Sequence, residues 1–418
     1  MTSPASILAR PLTLPCGAQL RNRLAKAAMS EAIADPDGGP SERLVRLYER
    51  WGRGGAGMLL TGNVIVDRGG RTEPANVVVH DDRHLAGLRR WADAAQAHGA
   101  ALWMQISHAG RQSSRGVTRE PVAPSAVKLR GMPGMFAPPR ALAGEEIETL
   151  VERFAIVAEM AQRAGFGGVQ IHAAHGYLVS QFLSPLVNRR DDAWGGDATR
   201  RMAFLLAIVG RMRARVGGGF PIAVKLNSAD FQRGSFTTDD AIEVVRALDA
   251  AGIDLIEVSG GNYESPAMVG RGELPVPTRE STVAREAYFL EYARMLRAHT
   301  RAPIMLTGGL RSAAAMAAAI TDGDADVIGL GRPLTIEPDL AARLLDGSVE
   351  VARGVRLHTG VRMIDDALQV MWFQQQMQRM ADGHEPDPSL GRVRALVQGM
   401  RDNLRSRALP PAPALTSA

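Results

Sequence analysis

Short apolar runs and amphipathic stretches alternate along most of this chain. The runs are Leu24–Ser30, Gly57–Gly62, Ala101–Ser107, Gly168–His172, Pro221–Asn227, Leu255–Gly260, Pro303–Gly308 and Ala325–Gly331. All are of strand length, and several end in Gly or Ser. Helical periodicity fills the gaps at Glu42–Gly52, His84–His98, Glu145–Ala164, Thr199–Val216, Asp239–Ala251, Ala284–His299 and Ala313–Thr321, with one further stretch at Pro338–Leu345. Thr238-Asp239-Asp240 reads as an N-terminal cap, and Gly165 and Gly252 read as C-terminal stops. This series predicts an α/β fold, a single closed (β/α)8 TIM barrel. An open doubly wound sheet that binds a dinucleotide would carry G-x-G-x-x-G after its first strand; Glu31-Ala32-Ile33 stands there instead.

Two connections are too long to be simple links. His108–Ala143 follows the third strand and Gly261–Val283 the sixth, both on the face where barrel loops form lids and pockets. Residues 1–350 are predicted to form the barrel. Residues 351–418 are expected to form a C-terminal helical extension (Ile364 to Met380) and a Pro- and Ala-rich flexible tail, packed on the barrel.

Composition narrows the class. At 418 residues and 45% hydrophobic, the chain can bury a large core. Its net charge of +5 and pI near 9.8 come from scattered arginines, with no basic tract and no zinc-finger spacing, which argues against nucleic-acid binding. The single cysteine, Cys16, excludes an intrachain disulfide and a four-cysteine iron–sulfur cluster. No apolar stretch approaches the ~20 residues of a membrane span, and Met1 to Arg10 lacks a signal-peptide pattern, so a cytoplasmic enzyme is expected.

Candidate chemistry gathers at strand ends. In Gln170-Ile171-His172-Ala173-Ala174-His175-Gly176-Tyr177, a strand runs into two histidines and a tyrosine. Together they can polarise a carbonyl and then deliver a proton. Parity turns Gln105, Lys225, Lys26 and Glu257 inward among apolar neighbours. Buried polar groups need partners. Lys26 and Glu257 are expected to satisfy each other, and Gln105 and Lys225 to meet a ligand. Thr307-Gly308-Gly309 and Gly329-Leu330-Gly331-Arg332 end the seventh and eighth strands, a common phosphate site in barrels.

With these residues the chain resembles the old yellow enzyme family of FMN-dependent ene-reductases from roughly Leu12 to Gly383. The anchors are Leu20-Arg21-Asn22-Arg23, Ala27-Ala28-Met29-Ser30, Gln105 to Gln112, His172 to Pro185, Asn188-Arg189-Arg190-Asp191, Gly195-Gly196, Gly308-Gly309 and Gly331-Arg332. The resemblance implies an N-terminal hairpin (Leu12–Arg23) closing the barrel bottom, with FMN across the opposite mouth. Ala27, Ala28, Met29 and Ser30 would line the flavin edge, Ser30 near its C4 oxygen and N5. Gly62 would touch the same edge, Gln105 the pyrimidine ring, and Lys225 the region of N1 and the C2 oxygen. Gly308, Gly309, Gly331 and Arg332 would hold the phosphate. NADH or NADPH would reduce the flavin, and an activated alkene such as an enone or nitroalkene would then take its place. His172 and His175 would bind the alkene's electron-withdrawing oxygen and Tyr177 would protonate it. Ser30 stands where relatives often carry Cys or Thr, Ala32 where some place a pocket tyrosine, and Lys225 where most carry arginine.

Other readings compete. His172 and His175 could share a metal, although no acidic or cysteine partner has motif spacing, and no metal is expected. A flavin-free phosphate-binding barrel would use the same glycines but leave Gln105 unexplained. A flavin NAD(P)H oxidase or dehydrogenase acting on another small molecule, or a binding protein that keeps FMN without turnover, would use much of the same site. A homo-oligomer is compatible with the exterior helices and tail.

Overall fold

The computed structural model describes residues 2–130, 134–230, 232–259, 282–355, 357, 362–391, 394–395 and 397–399. Eight parallel strands form its centre: β1 (Leu24–Lys26), β2 (Met58–Leu60), β3 (Ala101–Ser107), β4 (Gly168–Ala173), β5 (Ile222–Asn227), β6 (Leu255–Ser259), β7 (Ile304–Thr307) and β8 (Val327–Leu330). Each pairs with the next, and β8 pairs back onto β1 through Gly329 opposite Ala25, so the sheet closes. This is the predicted barrel.

Alternation along the strands splits the core into two layers. Leu102, Met104, Val169, Ile171, Ile222 and Val224 face outward into one apolar cluster shared with the helices. Ala25, Met58, Trp103, Ala223, Leu255, Met305 and Val327 face inward and fill the lower barrel. The predicted hairpin pairs Leu12–Thr13 with Gln19–Leu20 and drops Leu14 and Leu20 into that inner cluster, plugging the bottom. With the floor sealed by apolar side chains, the polar inward residues lie nearer the C-terminal ends of the strands.

Outside lie α1 (Glu42–Gly52), α2 (Leu85–Gln96), α3 (Gly144–Arg163), α4 (Ala198–Val216), α5 (Thr238–Ala250), α6 (Thr282–Arg297), α7 (Ala313–Thr321), α8 (Leu340–Leu345) and α9 (Arg362–Ala381). Ser41, Asp197 and Ser312 cap α1, α4 and α7 by accepting backbone N–H bonds at their first turns. The cap of α5 lies one residue earlier than predicted: Thr237 accepts from the Asp240 amide while Asp240 accepts in return from the Thr237 amide. Gly165 and Gly252 stop their helices with φ of +84° and +72°, as read from the sequence.

Two features were not foreseen, one beside β2 and one after β3. Short strands Val64–Ile65 and Val77–Val78 extend the sheet beyond β2, Val64 and Ile65 pairing with Ile106 and Ser107 of β3. The long loop after β3 makes its own small sheet from Val122–Ala123 and Arg140–Ala141. Helix α9 lies against α1, where Arg43 pairs with Asp382 and Arg50 with Glu385. Most of the Gly261–Val283 connection and the predicted tail lie outside the described residues.

Candidate active site

Register brings the inward polar side chains to neighbouring heights. Gln105 on β3 lies opposite Gln170 on β4, and Lys225 on β5 lies beside both His172 and Glu257 on β6. The result is a continuous chain of bonds. Gln105 Nε2 donates to Gln170 Oε1 (2.8 Å), Gln170 Nε2 donates to Glu257 Oε2 (2.8 Å), and Lys225 Nζ donates to Glu257 Oε1 (2.8 Å). All four residues are at most 4% exposed.

This corrects one expected partnership. Glu257 is taken up by Lys225 and Gln170, so it is not the partner of Lys26. Lys26 instead donates to Tyr48 Oη (2.9 Å) and the Leu60 carbonyl (2.6 Å), with Glu31 at 3.8 Å. Burial lowers the Lys26 pKa to about 8 despite that carboxylate. Gln105 and Lys225, expected to wait for a ligand, are already joined to each other through two intermediates.

Strand β4 then delivers the histidine and tyrosine set. His172 and His175 rings meet edge to face at 5.1 Å, and the Tyr177 ring meets His172 at 4.7 Å. The turn that makes this possible is unusual. His175 has φ +60°, a left-handed conformation uncommon for a side-chain-bearing residue, followed by Gly176 at +74°. Its peptide is clamped on both sides: Asn227 Oδ1 accepts its N–H (3.2 Å) and Gln112 Nε2 donates to its carbonyl (3.0 Å).

Electrostatics keep both imidazoles neutral. Burial, then the nearby Lys225 ammonium, lowers the His172 and His175 pKa values well below the ordinary range. His172 Nδ1 accepts the Ala174 amide (3.3 Å), so its one proton resides on Nε2. His175 Nε2 lies 2.7 Å from Ser259 Oγ. Sequence reasoning missed Ser259, although its parity with Leu255 and Glu257 on β6 already turned it inward.

The end of β1 forms the neighbouring wall. Ala27 is buried and donates its N–H to the Leu330 carbonyl (2.9 Å), while Ala28, Met29 and Ser30 are partly exposed. Gly62 has to be glycine: a Cβ there would fall 2.1 Å from Glu31 Oε2 and 2.4 Å from the Met29 carbonyl oxygen. Its N–H donates to Glu31 Oε1 (3.0 Å). The Ser30 hydroxyl donates to Glu73 Oε2, a partner that sequence reasoning did not find. Ala32 takes a left-handed φ of +52°.

At the far rim, Gly308 and Gly309 are exposed with φ of +105° and +83°. Gly331 follows β8, and the exposed Arg332 guanidinium sits 5.9 Å from the Phe373 ring centroid on α9. Positive-φ glycines beside an arginine suit a phosphate. Two buried hydroxyls at strand ends, Ser107 Oγ and Thr307 Oγ1, have no hydrogen-bond partner among the described residues. Inward-facing orphaned hydroxyls at this mouth, the phosphate-type rim and a buried Lys225 together fit a polar, phosphate-bearing cofactor such as FMN.

A closed barrel with such a mouth defines a cofactor-dependent α/β-barrel enzyme. The chain belongs to the NADH:flavin oxidoreductase / NADH oxidase family, whose model matches residues 8–349, and with it to the old yellow enzymes. It is accordingly an FMN-dependent oxidoreductase served by a nicotinamide reductant. It is 37% identical over 352 residues to an NADH-dependent flavin oxidoreductase of Hypocrea jecorina, covering 78% of this chain and 86% of the relative. A namesake from Neonectria sp. is 38% identical over 354 residues, or 79% of this chain; the chain spans only 46% of that longer protein. Morphinone reductase in complex with tetrahydroNAD has a TM-score of 0.68 at 25% identity, covering 83% of this chain and 92% of that one. A 2-naphthoyl-CoA reductase complex has a TM-score of 0.75 at 28% identity, covering 82% of this chain and 52% of the other.

Proposed function

We propose that this protein reduces activated alkenes with electrons from NADH, with Tyr177 as proton donor and His172 and His175 as the clamp for the substrate's electron-withdrawing oxygen. NADH is chosen over NADPH because the fungal relatives' names specify NADH. The observation that carries the reading is the ring cluster of His172, His175 and Tyr177 at 4.7 and 5.1 Å, with both imidazoles neutral.

When bound, FMN supplies two-electron chemistry, accepting from the nicotinamide and passing on to the substrate. Ala27, Ala28, Met29, Ser30 and Gly62 would line one edge of it. Gln105 and Lys225 would meet its polar ring, and Gly308, Gly309, Gly331 and Arg332 its phosphate. An ammonium has three donors, and among the described residues Glu257 Oε1 takes one of those on Lys225, leaving others for a ligand. His172 holds its proton on Nε2 and can donate it to an oxygen that gains negative charge as the alkene is reduced. His175 would join the clamp with its ring fixed by Ser259 Oγ at 2.7 Å from Nε2. A free phenol titrates near 10 and so carries its proton at neutral pH, which suits Tyr177 to release one to carbon.

The fold boundaries follow the same reading: residues 1–350 as the FMN-binding barrel and 351–418 as an extension docked on it. A cytoplasmic location and a homo-oligomer remain part of the proposal. Among the described residues no helix is long and apolar enough to cross a membrane. The test is steady-state turnover of an enone and a nitroalkene panel with NADH. Reduction of the carbon–carbon double bond supports the proposal, and NADH consumption that never reduces an alkene overturns it.

A further inference from the structure

Glu73 lies in the loop between the short strands Val64–Ile65 and Val77–Val78 and has no role in the site described above. It receives the Ser30 hydroxyl proton and is also hydrogen-bonded to Asn76 and to Gln374 of α9. Among the described residues no ion pair includes Glu73, and its strongest charged neighbour is a second carboxylate, Glu31. A partly buried carboxylate facing another is costly, and desolvation, then the nearby Glu31 charge, raises the Glu73 pKa.

What Glu73 does is fix the direction of one proton. A serine hydroxyl has one hydrogen and two lone pairs. While its hydrogen is committed to Glu73, Ser30 can present only lone pairs to the mouth. We infer that Glu73 is a positioning residue that turns the Ser30 hydroxyl away from the flavin edge and thereby holds down the flavin's tendency to accept electrons. The inference rests on the proposed placement of Ser30 beside FMN. Released from Glu73, the same hydroxyl could donate to the flavin's carbonyl edge, and a donor there stabilises the electron-rich reduced form. Gln374 extends the arrangement to the C-terminal helix, so α9 reaches the flavin edge through Glu73 as well as the phosphate rim through Phe373.

The test is the reduced-to-oxidised flavin ratio at a fixed external poise, read from the absorbance spectrum of FMN-loaded protein. Glu73→Gln should raise that ratio about tenfold, equivalent to about 30 mV for a two-electron couple. Glu73→Asp keeps the charge but withdraws it from Ser30 by one methylene, and should move the ratio in the same direction. In a Ser30→Ala background most of the Glu73→Gln shift should vanish. An equal shift with and without the Ser30 hydroxyl, or an unchanged ratio in both Glu73 variants, overturns the inference while leaving the flavin reading standing. Wild-type protein that binds no FMN at all overturns the flavin reading itself, and this inference with it.

Discussion

Lys225 and Glu257 face each other across β5 and β6 with 2.8 Å between Nζ and Oε1, and Gln170 occupies the other carboxylate oxygen. The pair is the electrostatic centre of the mouth, since the Lys225 charge also helps keep His172 and His175 neutral. Removing one member of a buried pair strands the other. Lys225→Met should therefore destabilise the protein by about 3–5 kcal/mol, and adding Glu257→Gln should recover part of the loss. Urea denaturation of the single and double variants measures this; a double variant no more stable than Lys225→Met would show that the stranded charge is not the cause.

Gly62→Ala should cost about 1–3 kcal/mol or more through overpacking, because the new methyl meets Glu31 Oε2 and the Met29 carbonyl. The same clash pushes on the β1 end, so FMN affinity should fall together with stability. Equilibrium dialysis alongside thermal denaturation reads both, and wild-type values for both would count against the packing at this corner.

His108 supplies a pH prediction. It is buried, and burial lowers its pKa from 6.5 to about 4. Between those values the unfolded chain binds this proton and the folded chain does not. Its contribution to stability is therefore intact above about pH 6.5 and is lost as the pH falls toward 4, by roughly 3 kcal/mol at 1.36 kcal/mol per unit. His172 and His175, also shifted down, act in the same sense. His108→Asn should flatten the acid limb of a stability–pH curve, and an unaltered limb would contradict the assignment.

Phe373 places its ring 5.9 Å from the Arg332 guanidinium. A cation–π contact of this kind is worth about 0.5–1 kcal/mol when exposed, so Phe373→Leu should weaken FMN binding about two- to fivefold. Arg332→Ala should weaken it further. Fluorescence titration of FMN decides it; a Phe373→Leu affinity equal to wild type would detach α9 from the phosphate rim.

The barrel was legible because its signals are local and periodic. Alternation on Trp103, Gln105 and Ser107 separates inner from outer faces without knowledge of any neighbour. Strand register was not legible, and register decides partners. Lys26 and Glu257 share inward parity, yet β1 and β6 lie far apart around the closed sheet, and each side chain found a nearer partner. Ser259 had the right parity but no motif to raise it above its neighbours. Glu73 had neither, for its role comes from a loop brought to Ser30 across 43 positions of chain. The proximity of His172, His175 and Tyr177 was readable because one strand and one turn hold all three; the left-handed φ at His175 that makes their ring contacts was not.

The central claim is that Tyr177 gives its proton to a substrate held by His172 and His175. Stopped-flow spectroscopy of Tyr177→Phe follows the flavin band through both half-reactions. The account predicts that reduction by NADH keeps its wild-type rate while reoxidation by an enone slows by about 10²-fold or more, the usual worth of a positioned general acid. Equal slowing of both halves, or reoxidation at the wild-type rate, would contradict it.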